Sequence, residues 1–213
     1  LCAVVLSRGD KAHAAGLSEV VAEIPATRAI HSGISSRSKF YGQWLEAIRR
    51  KGLPVRAVRG NDTIELQNGC VIRVLHPPRG RTYDRSDDNT LVLAVEYGPT
   101  RVLLMSDAGE TVEKQLLKTT EDLRAQVIVK GRHGKESSCT AAFLDAVKPE
   151  AVVAVVNVRP SGRYFEPGVR ERVKEHGATL YRTDETGAVT IRLTARGYTI
   201  HTWLDSGSAP PRD

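Results

Sequence analysis

The stretch CAVVLSRGDKAH, residues 2–13, decides the fold class of this 213-residue chain. Its apolar half, residues 2–6, predicts a buried strand, and a helical pattern begins directly after the polar turn at residues 7–13. A strand that opens into a polar turn and then a helix is typical of α/β proteins, which gather functional groups beyond the carboxyl ends of strands. We therefore expect an α/β fold with a functional site at this turn.

Two side chains of the turn, Asp10 and His13, stand three residues apart and can face one point. This convergence suits a pair of metal ligands. It also suits an ordinary helix cap, in which the Asp10 carboxylate accepts hydrogen bonds from amides of the first turn. Taken alone, the turn favours the cap over the metal site.

The composition indicates one globular domain, with 40% hydrophobic and 26% charged residues. No apolar run approaches the ~20 residues that cross a bilayer, so we expect a soluble domain. We assign residues 1–204 to a single domain that is partial at its N-terminus, because the chain begins with Leu inside a predicted strand. Residues 205–213, rich in Ser, Gly and Pro, are expected to form a flexible tail.

The net charge of +6 and the isoelectric point of about 9.4 permit a polyanionic partner. Basic residues cluster at positions 49–59 and again at 79–85, but without the interleaved aromatic side chains of a platform that stacks single-stranded nucleic acid. Solvated helix ends and loops explain these clusters about as well as DNA binding does. Both interpretations stay open at this point.

Hydrophobic periodicity predicts an alternation of strands and helices along the chain. The segments 55–58, 63–66 and 71–75 read as strands separated by turn signals, which predicts a meander. The stretch 76–88, rich in Pro, Gly, Arg and Asp, predicts an exposed loop. Between residues 90 and 176, each apolar strand is followed by a polar loop and then by a helix. The segments 179–181, 188–193 and 198–203 are expected to form antiparallel strands that close the fold.

Three of these loops, each directly after a strand, carry Asp, His or Arg side chains. They carry Asp10 and His13, then Asp107, then Arg132 and His133. His and Asp side chains gathered at one edge of a sheet are the way two-metal hydrolases hold their ions and activate a water molecule. The order of the loops therefore predicts a hydrolase-like site.

At this point the motifs resemble the metallo-β-lactamase-fold domain of the ComEC family of competence proteins, which import transforming DNA. The segment SDDNTLVL at 86–93 followed by EYG at 96–98 is similar to the family's asparagine-SLVL strand and YG turn. LLMSDA at 103–108 resembles LLTGDA, GRHG at 131–134 stands where the family has GHHG, and YRTD at 181–184 with GAVTI at 187–191 resembles its closing hairpin. The resemblance covers almost the whole chain and implies an αββα sandwich.

The departures from the family pattern fall on metal-binding positions. The family's LSHxDxDH loop is represented here by Arg8, Asp10, Ala12 and His13, so two of its four ligands are gone. In the GHHG motif the first His is Arg132, and in the family's YGHP motif the His is Glu166. The resemblance also implies N-terminal strands, with DxGQGD and LIDxG segments, that precede Leu1 in the family.

These replacements suggest that arginine side chains supply the positive charge that metal ions bring in the family. A guanidinium is permanently charged and presents a planar fork of donors that suits carboxylates. We therefore expect Arg8 and Arg132 to neutralise Asp10 and Asp107 in place of metal ions, because buried carboxylates without any cation are costly. Such a salt-bridged pocket holds no metal-activated water.

Three hypotheses follow. The favoured one is a domain related to DNA uptake with weakened or lost hydrolase activity and a DNA-binding or structural role, without a cofactor. The alternative is an active nuclease of single-stranded DNA that holds one divalent metal, Mn or Zn, on Asp10, His13, Asp107 and His133, with Asp107 and His133 catalytic. In a third, His31 and Glu166 rescue one metal site. The family resemblance also implies DNA and a membrane channel domain of the same polypeptide as partners.

Overall fold

The computed structural model describes residues 3–132, 135–156 and 165–204. They form four layers, in the order helices, sheet, sheet, helices. The first sheet has three strands in the order β1-β2-β3, and the second has seven in the order β10-β9-β8-β7-β6-β5-β4. A two-stranded hairpin, β11-β12, packs on the second sheet. The αββα sandwich expected from the motifs is therefore confirmed.

The strands are β1 (Val4–Leu6), β2 (Ala29–His31), β3 (Val55–Ala57), β4 (Thr63–Glu65), β5 (Val71–His76), β6 (Val92–Tyr97), β7 (Thr100–Leu104), β8 (Val127–Val129), β9 (Ala151–Ala154), β10 (Thr179–Arg182), β11 (Val189–Thr194) and β12 (Gly197–Thr202). The α-helices are α1 (Lys11–Ala14), α2 (Leu17–Glu23), α3 (Lys39–Lys51), α4 (Glu110–Thr119), α5 (Ala141–Val147), α6 (Val169–Glu175) and α7 (Thr183–Thr186). Short 3-10 turns cover Gln67–Gly69 and Asp87–Asn89. None of the helices in the described part of the chain combines the length and the apolar character that a bilayer-spanning segment requires.

The alternation of side chains along β1 explains how two layers form on the first sheet. Val4 and Leu6 face the helices and join a cluster that contains the buried Trp44 of α3. Ala3 and Val5 face the other way, toward the second sheet. A strand covered on both faces reads as a continuous apolar run, which is the pattern that marks this segment in the sequence.

The second sheet carries the largest part of the core. Helices α4, α5 and α6 cover one face, where Phe143, Leu144 and Val173 are fully buried. The hairpin β11-β12 covers part of the other face through apolar side chains such as Ile191 and Ile200. Burying both faces of this sheet positions the loops that follow its strands.

The two sheets meet at the edge that carries the functional loops. The backbone N–H of Leu91 donates to the carbonyl of Ser7 at 3.0 Å, which ties the segment before β6 to the turn after β1. The strands β1, β2 and β3 are mutually parallel, so their carboxyl ends share this edge. In the second sheet, β5 and β7 are both antiparallel to β6 and end on one side, at His76 and before Asp107.

Two topological expectations are wrong. Segment 55–58 does not open a meander, because β3 pairs in parallel with β2 in the first sheet, whereas β4 pairs antiparallel with β5 in the second. Helix α3 connects β2 and β3, and such a crossover produces parallel pairing. Strand β10 is parallel to β9, so only β11 and β12 close the described chain as an antiparallel pair.

The loop at 76–88 is exposed only in its middle. His76 at its start has no exposed surface, and Asp88 and Asn89 at its end are buried. The composition of the loop predicts its irregular backbone but not the burial of its two ends. The interval from 205 to 213, predicted to be a flexible tail, lies outside the described residues.

Candidate functional site

Arg8 occupies the centre of the site. Its guanidinium contacts three carboxylates: Nη2 pairs with Asp10 and lies 3.1 Å from Oδ2 of Asp107, and Nη1 pairs with Asp87. Only 13% of the Arg8 side chain is exposed. The turn after β1 thus delivers a cation to the point at which acidic side chains from three loops converge.

Asp10 has two roles at once. Its carboxylate accepts a hydrogen bond from the backbone N–H of His13 at 3.0 Å and caps helix α1, so the cap predicted from the sequence is confirmed. The same oxygen lies 2.7 Å from Nδ1 of His13, and the other oxygen pairs with Arg8. The cap and the charged cluster therefore share one residue.

Asp107 is held by backbone geometry rather than by a helix cap. Helix α4 begins after Gly109, which has no side-chain cap bond, so Asp107 does not cap it. Ser106 has φ +50, and its hydroxyl accepts a hydrogen bond from the Thr90 hydroxyl at 2.8 Å. A Cβ on Gly131 would lie 2.0 Å from the Ala108 carbonyl oxygen, so the glycine of the GRHG segment permits this close approach.

Asp87 is the site residue that the sequence interpretation missed. It lies in the 3-10 turn before β6, and Asn89 fixes this turn by accepting from the Tyr83 N–H and donating to the carbonyls of Tyr83 and Arg85. The signal was available in the SDDN segment, which precedes an apolar strand at the same edge. The similarity of this segment to the family's strand motif does not by itself indicate a role in the site.

The charges of the cluster affect one another. Burial opposes ionisation of Asp10, but hydrogen bonds from His13 and Arg8 outweigh it and lower the pKa of Asp10. Burial raises the pKa of Asp107, although the charges of Arg8 and His13 act against this. The pKa of Arg8 is raised because its bond to Asp10 and the nearby negative charges outweigh the effect of its burial. Arg8 therefore stays charged and supplies the positive charge of the site.

The donor set does not fit a bound metal ion in this arrangement. Ligand atoms of Asp10, His13 and Asp107 lie within 4.8 Å of one another, as a metal site requires. However, the same Arg8 Nη2 is engaged by an oxygen of Asp10 and an oxygen of Asp107. Both ring nitrogens of His13 also face carboxylates, with Nε2 3.4 Å from Asp107. A metal ion would therefore have to displace the Arg8 guanidinium from Asp10 and Asp107.

Arg132 does not take the position predicted for it. Its side chain is exposed, and among the described residues no ion pair joins it to Asp10 or Asp107. The reason lies in the backbone, because the N–H of Arg132 donates to the Ser106 carbonyl and Gly131 packs against Ala108. His133 lies outside the described residues, so its predicted role stays a prediction.

His31 and Glu166, the pair proposed as a rescued metal site, lie in separate environments. Glu166 accepts hydrogen bonds from Ser137 and from the N–H of Ser138, and it pairs with Arg172 at 2.8 Å. His31 packs against aromatic rings of α3, with its ring 5.5 Å from that of Trp44. Neither belongs to the carboxylate cluster found among the described residues.

Several of the basic side chains are paired with acidic ones. Arg49 and Arg50 bind Glu46 within α3, Arg79 binds Asp62 and Arg85 binds Glu136. The Arg85–Glu136 pair joins the loop before β6 to the loop after β8. The arginine side chains of these pairs are largely exposed, so they remain accessible to a polyanion.

Comparison with known proteins gives two curated relatives. Competence protein ComA of Neisseria gonorrhoeae is 36% identical over 127 residues, 59% of this chain and 18% of its own length. ComE operon protein 3 of Bacillus subtilis (strain 168) is 24% identical over 200 residues, 92% of this chain and 25% of its own length. The chain therefore spans a quarter or less of the length of each relative. No family model matches the sequence.

Among solved structures, CmlA, a diiron β-hydroxylase from Streptomyces venezuelae, matches 84% of this chain and 43% of its own, with a TM-score of 0.57 and 13% sequence identity. At this identity the match concerns the fold alone. The αββα layers, with a cluster of Asp and His at the meeting edges of the sheets, define a protein of the metallo-β-lactamase fold. Within that class, the sequence is similar to the two competence relatives, and the order of its motifs resembles that of a ComEC-type domain.

Proposed function

We propose that this chain serves in DNA uptake as a non-catalytic domain, in which Arg8 supplies the positive charge that metal ions would otherwise bring. The observation that carries this proposal is the contact of one guanidinium with Asp10, Asp87 and Asp107. The link to DNA uptake comes from the competence relatives.

The chemistry of the pocket supports a loss of hydrolysis. Each of the carboxylates Asp10 and Asp107 already interacts with Arg8 and with His13. A guanidinium has no vacant orbital with which to bind a water molecule and lower its pKa, in contrast to a metal ion. The residues of this site can therefore maintain its charge balance and its shape, but they provide no activated nucleophile.

A variant that reintroduces the family's ligands tests the loss of hydrolysis. Wild type is expected to leave single-stranded DNA intact in Mn or Zn, whereas Arg8→His combined with Ala12→Asp and Arg132→His is expected to bind metal and gain measurable cleavage. The matched control is the same background with Asp107→Asn, which removes a shared ligand. Cleavage by wild type that depends on Mn or Zn would contradict the proposal.

DNA binding has its own test. We expect fluorescently labelled single-stranded DNA to bind with an affinity that falls steeply with salt, because bound phosphates release counterions. Arg132→Gln should remove one phosphate contact and so lower the magnitude of the slope of log K against log salt by ~0.7, the value per contact for single-stranded DNA. Arg196→Gln is the matched control: its residue is exposed in the turn between β11 and β12, near Gly98 and away from Asp107. A flat response to salt would remove DNA as the partner.

The alternative function is a metal-dependent nuclease of single-stranded DNA that uses Asp10, His13, Asp107 and His133. The observation in its favour is that ligand atoms of the first three residues remain within 4.8 Å of one another. It requires the Arg8 side chain to leave Asp10 and Asp107. Stoichiometric metal on the wild-type protein would favour this alternative.

A further inference from the structure

A second cation lies at the carboxyl edge of the first sheet and takes no part in the Arg8 site. Arg59 follows β3, which β2 separates from β1. Its Nη2 lies 4.0 Å from the position that a Cβ would have on Gly33, in the turn after β2. Within the described ranges the Arg59 guanidinium has neither a hydrogen bond nor an ion pair, and its Nη1 is buried.

A partly buried guanidinium without a counter-charge is unfavourable, because it has lost water without gaining an anion. Burial accordingly lowers the pKa of Arg59. Asp62, an acidic residue close to it in sequence, is used elsewhere: it accepts a hydrogen bond from the backbone N–H of Arg59 at 2.7 Å and pairs with Arg79. The Arg59 side chain is thus left to bind something that the described chain does not provide.

Backbone contacts bring two histidines close to Arg59: His31 bonds to the N–H of Gly33, and His76 precedes Pro77, whose carbonyl accepts from the N–H of Gly60 at 2.8 Å. The Arg59 charge adds to the effect of burial in lowering the pKa of both His31 and His76. Nδ1 of His31 accepts a hydrogen bond from the Gly33 N–H at 3.3 Å and lies 3.3 Å from the Tyr41 hydroxyl, an arrangement that puts the ring proton on Nε2. His31 ends β2, and its neighbour in the pairing with β3 is Ala57, two residues before Arg59.

His76 approaches from the second sheet. Nδ1 lies 2.9 Å from the Thr90 carbonyl and donates to it, while Nε2 is buried without a hydrogen-bond partner among the described residues. The side chain has no exposed surface. Nε2 of His76 is therefore a second unsatisfied buried polar atom in this part of the fold, besides Nη1 of Arg59.

We propose that Arg59 and His31 form a binding site for a phosphate group at the edge shared by the two sheets, next to the buried His76. The guanidinium offers a fork of donors that matches two phosphate oxygens. Nε2–H of His31 offers a third donor. A phosphate would balance the Arg59 charge. This site is independent of the Arg8 cluster and of the loss of hydrolysis.

Titration with inorganic phosphate tests the site on the whole chain. Phosphate, compared with chloride at equal ionic strength, is expected to raise the Tm of wild type and to shift the side-chain NMR signals of His31 and His76. Arg59→Gln should weaken phosphate binding by about tenfold or more, since a charged hydrogen-bonding partner is lost. Arg196→Gln, which removes the same charge from an exposed turn, should bind phosphate as wild type does.

A second arm separates free phosphate from a phosphodiester, using a short single-stranded oligonucleotide without terminal phosphates. Binding of either probe that depends on Arg59 supports the site, and the stronger of the two identifies its source. The proposal is overturned if neither probe binds, or if Arg59→Gln and Arg196→Gln bind both equally well. It is also overturned if Arg59→Gln loses stability in chloride, because the guanidinium would then have a structural partner within the protein.

Discussion

Replacing Arg8 with methionine is expected to lower the free energy of unfolding by about 3 kcal/mol. Methionine preserves much of the apolar volume but removes the charge that Asp10, Asp87 and Asp107 share. Removing one partner of a buried ion pair costs ~3–5 kcal/mol, and the partial exposure of Asp10 and Asp87 places this case at the lower end.

Urea unfolding of wild type and Arg8→Met measures this loss. The matched control is Arg49→Met, in which the arginine side chain is 77% exposed and pairs with Glu46, and there we expect a change within ~0.5 kcal/mol. Adding Asp107→Asn to Arg8→Met should recover part of the lost stability, because one uncompensated charge disappears. Equal stability of Arg8→Met and Arg49→Met would show that the carboxylates need no cation.

Acidification is expected to remove about 3 kcal/mol of stability through His76 alone. Burial, with smaller effects from the charges of Arg59 and Arg81, lowers the pKa of His76 from 6.5 to about 4, although its bond to Thr90 acts the other way. The unfolded chain therefore binds a proton more readily than the folded one. The stabilisation is complete above pH 6.5 and is lost as the pH falls toward 4.

The check is the free energy of unfolding measured across this pH window for wild type and His76→Asn. Asparagine can still donate to the Thr90 carbonyl but does not titrate, so the variant should be less stable at pH 7 and should lack the His76 part of the slope. His201→Asn, at an exposed position on β12, is the matched control. Identical slopes in wild type and His76→Asn would contradict the assignment.

The sequence predicted the fold well where its elements have strong periodicity. The continuous apolar run of β1 and the helical spacing of Phe40, Trp44 and Ile48 correspond to β1 and α3 of the first two layers. The pairing partner of β3 was mispredicted, because three short strands with turn signals between them look the same whether or not the first belongs to another sheet. Strand pairing depends on contacts distant in sequence, which local patterns do not record.

The site was predicted in part. Asp10, His13 and Asp107 were chosen because each follows a strand, and the structure brings them together. Asp87 escaped notice because it precedes a strand, and only the antiparallel direction of β6 places it at the same edge. Arg132 was expected beside Asp107 because it replaces a histidine of the family's GHHG motif and carries a complementary charge, whereas its backbone bond to Ser106 leaves its side chain exposed. Charge complementarity indicates which groups can pair, but the course of the backbone determines which side chains lie close enough to each other to do so.

The most direct measurement of the central claim is the metal content of the purified wild-type chain after incubation with Mn or Zn and removal of free ions. With Arg8 on Asp10, Asp87 and Asp107, the chain is expected to retain no stoichiometric metal, while Arg8→His with Ala12→Asp and Arg132→His retains at least one ion per chain. One or more ions held by wild type would contradict the claim that Arg8 takes the place of the metal.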